Sequence, residues 1–173
     1  MVNLVGTSGN DSLIGSSIAD TINGGAGDDT IQGGAGADKL TGGNGFDWLS
    51  YVGSTAGVTV NLATGLGFGG DAQGDTFSGF EGLLGSSLAD LLTGLGFVST
   101  VNGGLGNDTI IGGGFYDTIQ GGAGADSLVG NASRDWLDYS TSTAGVTVNL
   151  ATGLGFGGDA QGDTITGFHV LSG

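Results

Sequence analysis

The chain has no cysteine and no proline, a single histidine, and only two basic side chains, Lys39 and Arg134. Without cysteine there are neither disulfides nor thiolate metal sites. One histidine, His169, and no cysteine also exclude an HExxH metalloprotease or a Cys–His mechanism, and leave any serine triad hanging on one residue. Against two cations stand 17 acids, a formal charge of −15. A phosphate-binding face needs a basic stripe, so nucleic acid and anionic membrane surfaces are poor partners and cations good ones. No run approaches the roughly 18–20 apolar residues of a membrane span. The opening Met-Val-Asn-Leu-Val-Gly has no basic region followed by an apolar core, so no cleavable leader is expected there.

What the chain does have is glycine, 42 of 173 residues, and 16 of its 17 acids are aspartate. Ordering so many flexible residues against self-repulsion is unfavourable, and something must offset it. Repetition supplies the clue. From Gly6 the chain divides into blocks of nine: GTSGNDSLI, GSSIADTIN, GGAGDDTIQ, GGAGADKLT and GGNGFDWLS. A second run from Gly85 reads GSSLADLLT, GLGFVSTVN, GGLGNDTII, GGGFYDTIQ, GGAGADSLV and GNASRDWLD. Every block opens with glycine and carries an aliphatic residue at position eight. The sixth position is aspartate in all but one block, which has Ser99. A longer period of 88 residues overlays the short one, carrying Trp48 to Trp136, Tyr51 to Tyr139 and Asp71 to Asp159.

The first six positions of a block are turn chemistry, and the last three, such as Thr30-Ile31-Gln32, alternate polar and apolar as a half-buried strand does. Three residues cannot bury one isoleucine alone. Two blocks make an 18-residue coil of turn, strand, turn, strand, and stacked coils align the aliphatic residues in interior columns. Glycine density opposes helix by about 1 kcal/mol per residue relative to alanine. The expectation is an all-β, right-handed parallel β-roll (a β-solenoid) with two nonapeptide blocks per coil. It should run continuously over 1–173 as one domain. Its parts are repeat run 6–50, insert 51–84, repeat run 85–138 and a second insert 139–173. The inserts, each close to two coils in length, read as wider coils of the same solenoid.

In that geometry Asp11, Asp29 and Asp47 form one column and Asp20 and Asp38 the opposite one. In the second run Asp90, Asp108 and Asp126 face Asp117 and Asp135. Coils stack about 4.8 Å apart, so unscreened neighbours in a column would repel by roughly 3–4 kcal/mol at an intermediate dielectric. A hard divalent cation between turns removes that penalty. Six to eight oxygens suit Ca2+, whereas Mg2+ demands strict octahedral geometry and Zn2+ lacks nitrogen or sulfur ligands here. The carboxylates would be joined by first- and third-position carbonyls: those of Gly24, Ala26, Gly33, Ala35, Gly42, Asn44, Gly103, Leu105, Gly121 and Ala123. The glycine turns of the inserts add Asp71, Asp75, Asp159 and Asp163 as further candidates, with a solvated acidic turn as the alternative. About six to eight ions are expected in all.

Five blocks, 24–32, 33–41, 42–50, 103–111 and 121–129, match GGxGxDxUx at every position, U being aliphatic. On those residues the chain resembles the haemolysin-type, repeats-in-toxin (RTX) calcium-binding family. The resemblance implies a calcium-loaded β-roll, secretion by a type I route in an unfolded state, an extracellular or cell-surface location, and folding driven by calcium outside the cell. The fourth-position glycine is replaced by Ile18, Leu88, Phe97, Phe115 or Ser133 in other blocks, and Ser99 brings no carboxylate, so a site shared with Asp117 should be weak. Trp48 and Trp136, at position seven, should face outward, either as a stacking surface or as covers for neighbouring coils. The expected function is a non-enzymatic, calcium-folded structural segment of a secreted or surface-attached protein; the alternative is an accessory module of a secreted enzyme or toxin. The nearly preserved period across the ends also raises head-to-tail self-association.

Overall fold

The computed structural model describes residues 1–131 and 134–173. Sixteen of its 20 strands are three residues long, the length that the last third of a nonapeptide supplies, and in the repeat runs they alternate between two sheets. Register follows the 18-residue coil. Thr21 pairs with Lys39 and Ile22 with Leu40 on one sheet; Thr30 pairs with Trp48 and Ile31 with Leu49 on the other, all in parallel. The middle residue of each strand points inward. Ile22, Leu92, Ile110 and Leu128 on one side, and Ile31, Leu49, Val101, Ile119 and Leu137 on the other, have no exposed surface. The molecule is a parallel β-roll with two blocks per coil. Among the described residues no helix is long and apolar enough to cross a membrane.

The inserts depart from the expected wider coils. Strand Thr59–Asn61 runs antiparallel to Leu66–Phe68, which runs antiparallel to Thr76–Ser78. Only the outer two of these three join the solenoid in parallel, Thr76–Ser78 to Lys39–Asn44 and Thr59–Asn61 to Leu91–Thr93. The cause is local. In Asn61-Leu62-Ala63-Thr64-Gly65 the Asn61 side chain accepts the Thr64 amide at 3.0 Å, and Gly65 takes φ +69°, closing a hairpin turn where a nonapeptide turn would continue the coil. The second insert repeats this, with Thr147–Asn149 antiparallel to Leu154–Phe156 and Gly153 at φ +69°. Each insert thus adds a single strand to one sheet and three to the other, so the sheets hold eight and 12 strands. Tyr51, Val58, Val60, Phe77 and Phe80 fill the space this opens.

Candidate metal centre

The turns joining the two sheets carry the aspartates, and the fold lines them up. Each block places its aspartate just before the strand, where the residue's own amide has no ladder partner. That amide donates to the carboxylate one coil further on. Asp11 donates to Asp29 Oδ1 and Asp29 to Asp47 Oδ1, both at 2.8 Å. Across the roll, Asp20 donates to Asp38 Oδ1 at 2.8 Å. In the second run Asp90 donates to Asp108 at 2.9 Å and Asp108 to Asp126 at 2.8 Å, while Asp117 donates to Asp135 at 3.0 Å on the opposite side. Nearly all of these carboxylates are buried, Asp29, Asp47, Asp117 and Asp135 completely.

Apart from Asp11, which heads its column, each aspartate gives one oxygen to an amide of the preceding coil, and the fate of Oδ2 divides the set in two. Asp11 Oδ2 accepts the Thr7 amide and hydroxyl, at 2.5 and 3.0 Å. Asp20 Oδ2 accepts the Ser16 amide and hydroxyl, both at 2.7 Å, while Asp90 accepts the Ser86 amide on Oδ2 at 2.6 Å and the Ser86 hydroxyl on Oδ1 at 2.9 Å. Asp117 Oδ2 accepts the Gly114 amide at 3.1 Å, and Asp135 Oδ2 that of Asn131 at 2.7 Å. These five turns satisfy their own carboxylate. Asp29, Asp38, Asp47, Asp108 and Asp126 do not: their Oδ2 atoms are buried with no partner at all. They belong to the five blocks that match GGxGxDxUx throughout. A buried carboxylate oxygen left unpaired is strongly unfavourable unless a cation completes it.

The first-position glycine shapes the space beside each orphaned oxygen. Gly24 and Gly103 have ordinary φ, so their lack of a side chain answers a steric need. A Cβ on Gly24 would collide with Asp29 Oδ2 and lie 2.5 Å from the Gly42 carbonyl oxygen. On Gly103 it would collide with Asp108 Oδ2 and lie 2.6 Å from the Gly121 carbonyl oxygen. Carboxylate and next-coil carbonyl thus converge on one small cradle, at distances near a calcium–oxygen bond of about 2.3–2.6 Å. Backbone conformation is the reason for glycine at the second and fourth positions instead, as at Gly25 and Gly27, with φ +108° and +107°. Of the third-position carbonyls, those of Asn44 and Ala123 accept the amides of Gly27 and Gly106 at 2.9 and 3.0 Å. Ala26 and Leu105 extend their strands into the turn, paired with Asn44 and Ala123, while Ala35 lies outside any strand.

Burial raises the proton affinity of four of these carboxylates. It pushes Asp108 up to about 7 and Asp126 to about 6, against an ordinary value of 3.8, and it also raises Asp38 and Asp47. Asp20 moves the other way, held low by hydrogen bonds from the Val2 amide and the Ser16 hydroxyl. Among the described residues no three acidic or histidine side chains converge on one point. The carboxylates are strung along the axis, so any cation between coils must complete its shell with main-chain carbonyls.

The structure also brings in residues that the nonapeptide register did not place. Asp75 and Asp163 continue the columns, receiving the amides of Asp38 and Asp126 at 2.8 and 2.9 Å. Their second oxygens accept the phenols of Tyr51 and Tyr139, at 2.9 and 2.5 Å. Their turn partners Asp71 and Asp159 are only half-buried, although the charge of Asp71 helps raise Asp75 to about 6, after burial. Glu81, absent from the candidate ligands, accepts the Asp47 amide at 3.0 Å. Its spacing of 34 from Asp47 hid it, since only the insert's extra strands bring the two together. At the departing blocks, Ser99 donates its hydroxyl to Asp117 Oδ1 at 2.8 Å, so a proton stands where a second carboxylate would need a cation. Ile18, Leu88, Phe97 and Phe115 are exposed, and Ser133 lies outside the described residues.

The family model of the RTX calcium-binding nonapeptide repeat matches in four copies, over residues 3–17, 14–49, 84–119 and 117–140, together more than half of the chain. No curated protein matches.

Proposed function

Because the chain belongs to the RTX calcium-binding nonapeptide repeat family, we propose that it is a calcium-folded structural roll whose metal centres are built around the five aspartates with orphaned Oδ2 atoms. That coincidence supports the reading: the aspartates of the five perfect blocks, and no other side chains among the described residues, have buried oxygens that the protein leaves without a partner. Asp29 and Asp47 would hold calcium with Asp11 and Glu81 as column neighbours; Asp38 with Asp20 and Asp75; Asp108 and Asp126 with Asp90 and Asp163. The carbonyls of Gly24, Gly33, Gly42, Gly103 and Gly121 and those of the third positions complete the shells. About six to eight ions fit these columns. Bound calcium supplies positive charge between carboxylates that otherwise repel, and the residues themselves do no chemistry. Asp117 and Asp135 have their free oxygens met by main-chain amides and should bind weakly, as should the place shared by Ser99 and Asp117.

On this reading the roll over 1–173 is one continuous domain without catalytic activity, and nucleic acid is no partner for a chain of charge −15. Millimolar calcium is an extracellular condition, which favours a secreted or surface-attached protein exported unfolded by a type I route. Far-UV circular dichroism of chelator-stripped protein tests the core of the proposal. A cooperative gain of β signal at roughly 0.1–1 mM calcium, with magnesium unable to replace it, is the expected outcome. A β signal indifferent to chelator would overturn it.

The roll's two edges fit each other. Thr147–Asn149 and Val170–Ser172, the exposed strands at one end, are copies of Thr59–Asn61 and Gly82–Leu84, which pair inside the chain with Leu91–Thr93 and Thr100–Leu105. Those two partners are in turn copied by Asn3–Val5 and Ser12–Ile14 at the other end. Leu83 is fully buried by its junction, whereas its copy Leu171 is 45% exposed. Head-to-tail association in that register would bury it. Sedimentation that finds only monomer in saturating calcium at high protein concentration would sink this.

A further inference from the structure

The chain's one arginine and one histidine line the same surface cavity. Arg134, His169, Tyr116, Trp136 and Val170 enclose a volume of about 540 Å³. That is a usual size for a small-ligand site, and none of the five aspartates with orphaned Oδ2 atoms lines it. Neither the Arg134 guanidinium nor the His169 ring bonds to any described residue. In a protein of charge −15, an arginine free of every carboxylate is an unusual economy. Tyr116 and Trp136 stand half-exposed at 53% and 46%.

The backbone supports this set in an uncommon way. Among the described residues Tyr116 and Arg134 are the only non-glycine residues with positive φ, at 63° and 65°. They occupy the same block position one coil apart, and each precedes a ladder aspartate, Asp117 donating to Asp135 at 3.0 Å. The ladder pins the strained pair. Left-handed backbone at a bulky residue is unfavourable and gathers at binding sites.

The 88-residue period provides an internal comparison. In the first copy the five places are held by Asp28, Phe46, Trp48, Glu81 and Gly82. There the cavity is closed by the protein's own side chains. Phe46 and Trp48 pack with ring centroids 5.6 Å apart, and the indole lies so close over Gly82 that a Cβ there would collide with it. In the second copy Val170 replaces that glycine, Arg134 replaces the phenylalanine packed on the indole, and both acidic residues are exchanged, one for tyrosine and one for histidine. On the same β-roll framework, the charge of the site changes from negative to positive and its aromatic face opens to solvent.

We propose that this cavity binds an acidic saccharide, a uronate-bearing oligosaccharide. The Arg134 fork would take a carboxylate in two parallel hydrogen bonds, His169 would add an N–H, and Trp136 and Tyr116 would stack against the apolar face of a sugar ring. Calcium in the columns offsets the charge that would otherwise repel such a ligand.

The test is isothermal titration of the calcium-saturated protein with trigalacturonate, too short to gel with calcium, and with neutral maltotriose. The expected result is saturable binding of trigalacturonate alone. It should weaken by about ten-fold or more, the equivalent of about 1.4 kcal/mol, in Arg134→Gln and in Trp136→Ala, and stay unchanged in Trp48→Phe. Calcium-dependent circular dichroism of each variant confirms its fold, so that a failure of the calcium reading is seen separately. Absence of trigalacturonate binding, equal binding of maltotriose, or undiminished binding by Arg134→Gln would each overturn the proposal.

Discussion

An aspartate in this protein is defined less by its position in a block than by whether its turn carries donors for it. The hydroxyls of Thr7, Ser16 and Ser86 reach Asp11, Asp20 and Asp90, whereas a second-position glycine offers no hydroxyl to Asp29, Asp38, Asp47, Asp108 or Asp126. The same residue type therefore closes a turn by hydrogen bonds in one set and, on the proposed reading, would serve as a cation ligand in the other. Asp29→Asn should remove about one calcium from the titrated stoichiometry and raise the calcium needed for folding several-fold, because it deletes a charged ligand between two others. Asp90→Asn, whose oxygens already have partners, should leave the stoichiometry unchanged. Calorimetric calcium titration of both variants checks this, and equal losses would contradict the division.

At the scale of elements, the three-residue strand is too short to stand alone, and its stability comes from stacking. The inserts interrupt that stacking with a hairpin and replace the lost regularity by a buried aromatic core. Tyr51 sits at its centre, 1% exposed, with its phenol on Asp75. Burial pushes the Tyr51 phenol up, so it remains a donor. Tyr51→Phe keeps the ring and removes the donor, leaving a buried carboxylate oxygen unpaired. A loss of about 1–3 kcal/mol is expected, read as a lower melting temperature in saturating calcium. An unchanged melting temperature would mean that water or metal serves Asp75 equally well.

For the whole molecule, the proposed function sets two ions, the proton and calcium, in competition for the same carboxylates. Without calcium, burial gives Asp108 a folded-state value of about 7, and Asp75 and Asp126 about 6, against 3.8 unfolded. The folded chain then binds more protons than the unfolded one between about pH 4 and 7, so acid stabilises the calcium-free roll. That contribution is complete below the unfolded value and is lost as pH rises through about 6–7. With calcium present the sign reverses, because protonation removes ligands. Chelated protein should accordingly gain β signal and melting temperature from about pH 7.5 to about pH 5, while calcium affinity falls over the same range. A chelated roll more stable at the higher pH would show that these carboxylates are ionised and satisfied without metal.

The nine-residue period by itself determined the parallel roll, its coil of two blocks, its interior aliphatic columns and the two lines of aspartate, since each follows from local alternation and a constant step along the axis. It also marked the five perfect blocks. Only the tertiary structure showed what that distinction means for Asp29 against Asp11 or Asp108 against Asp90, because it lies in whether a hydroxyl or amide reaches across the turn. The hairpins of the inserts placed Asp75, Asp163 and Glu81 beside residues 34 or 37 positions away. No periodicity carries that distance. Arg134 and His169 are likewise 35 residues apart in sequence and meet only because Trp136–Asp138 pairs with Val170–Ser172.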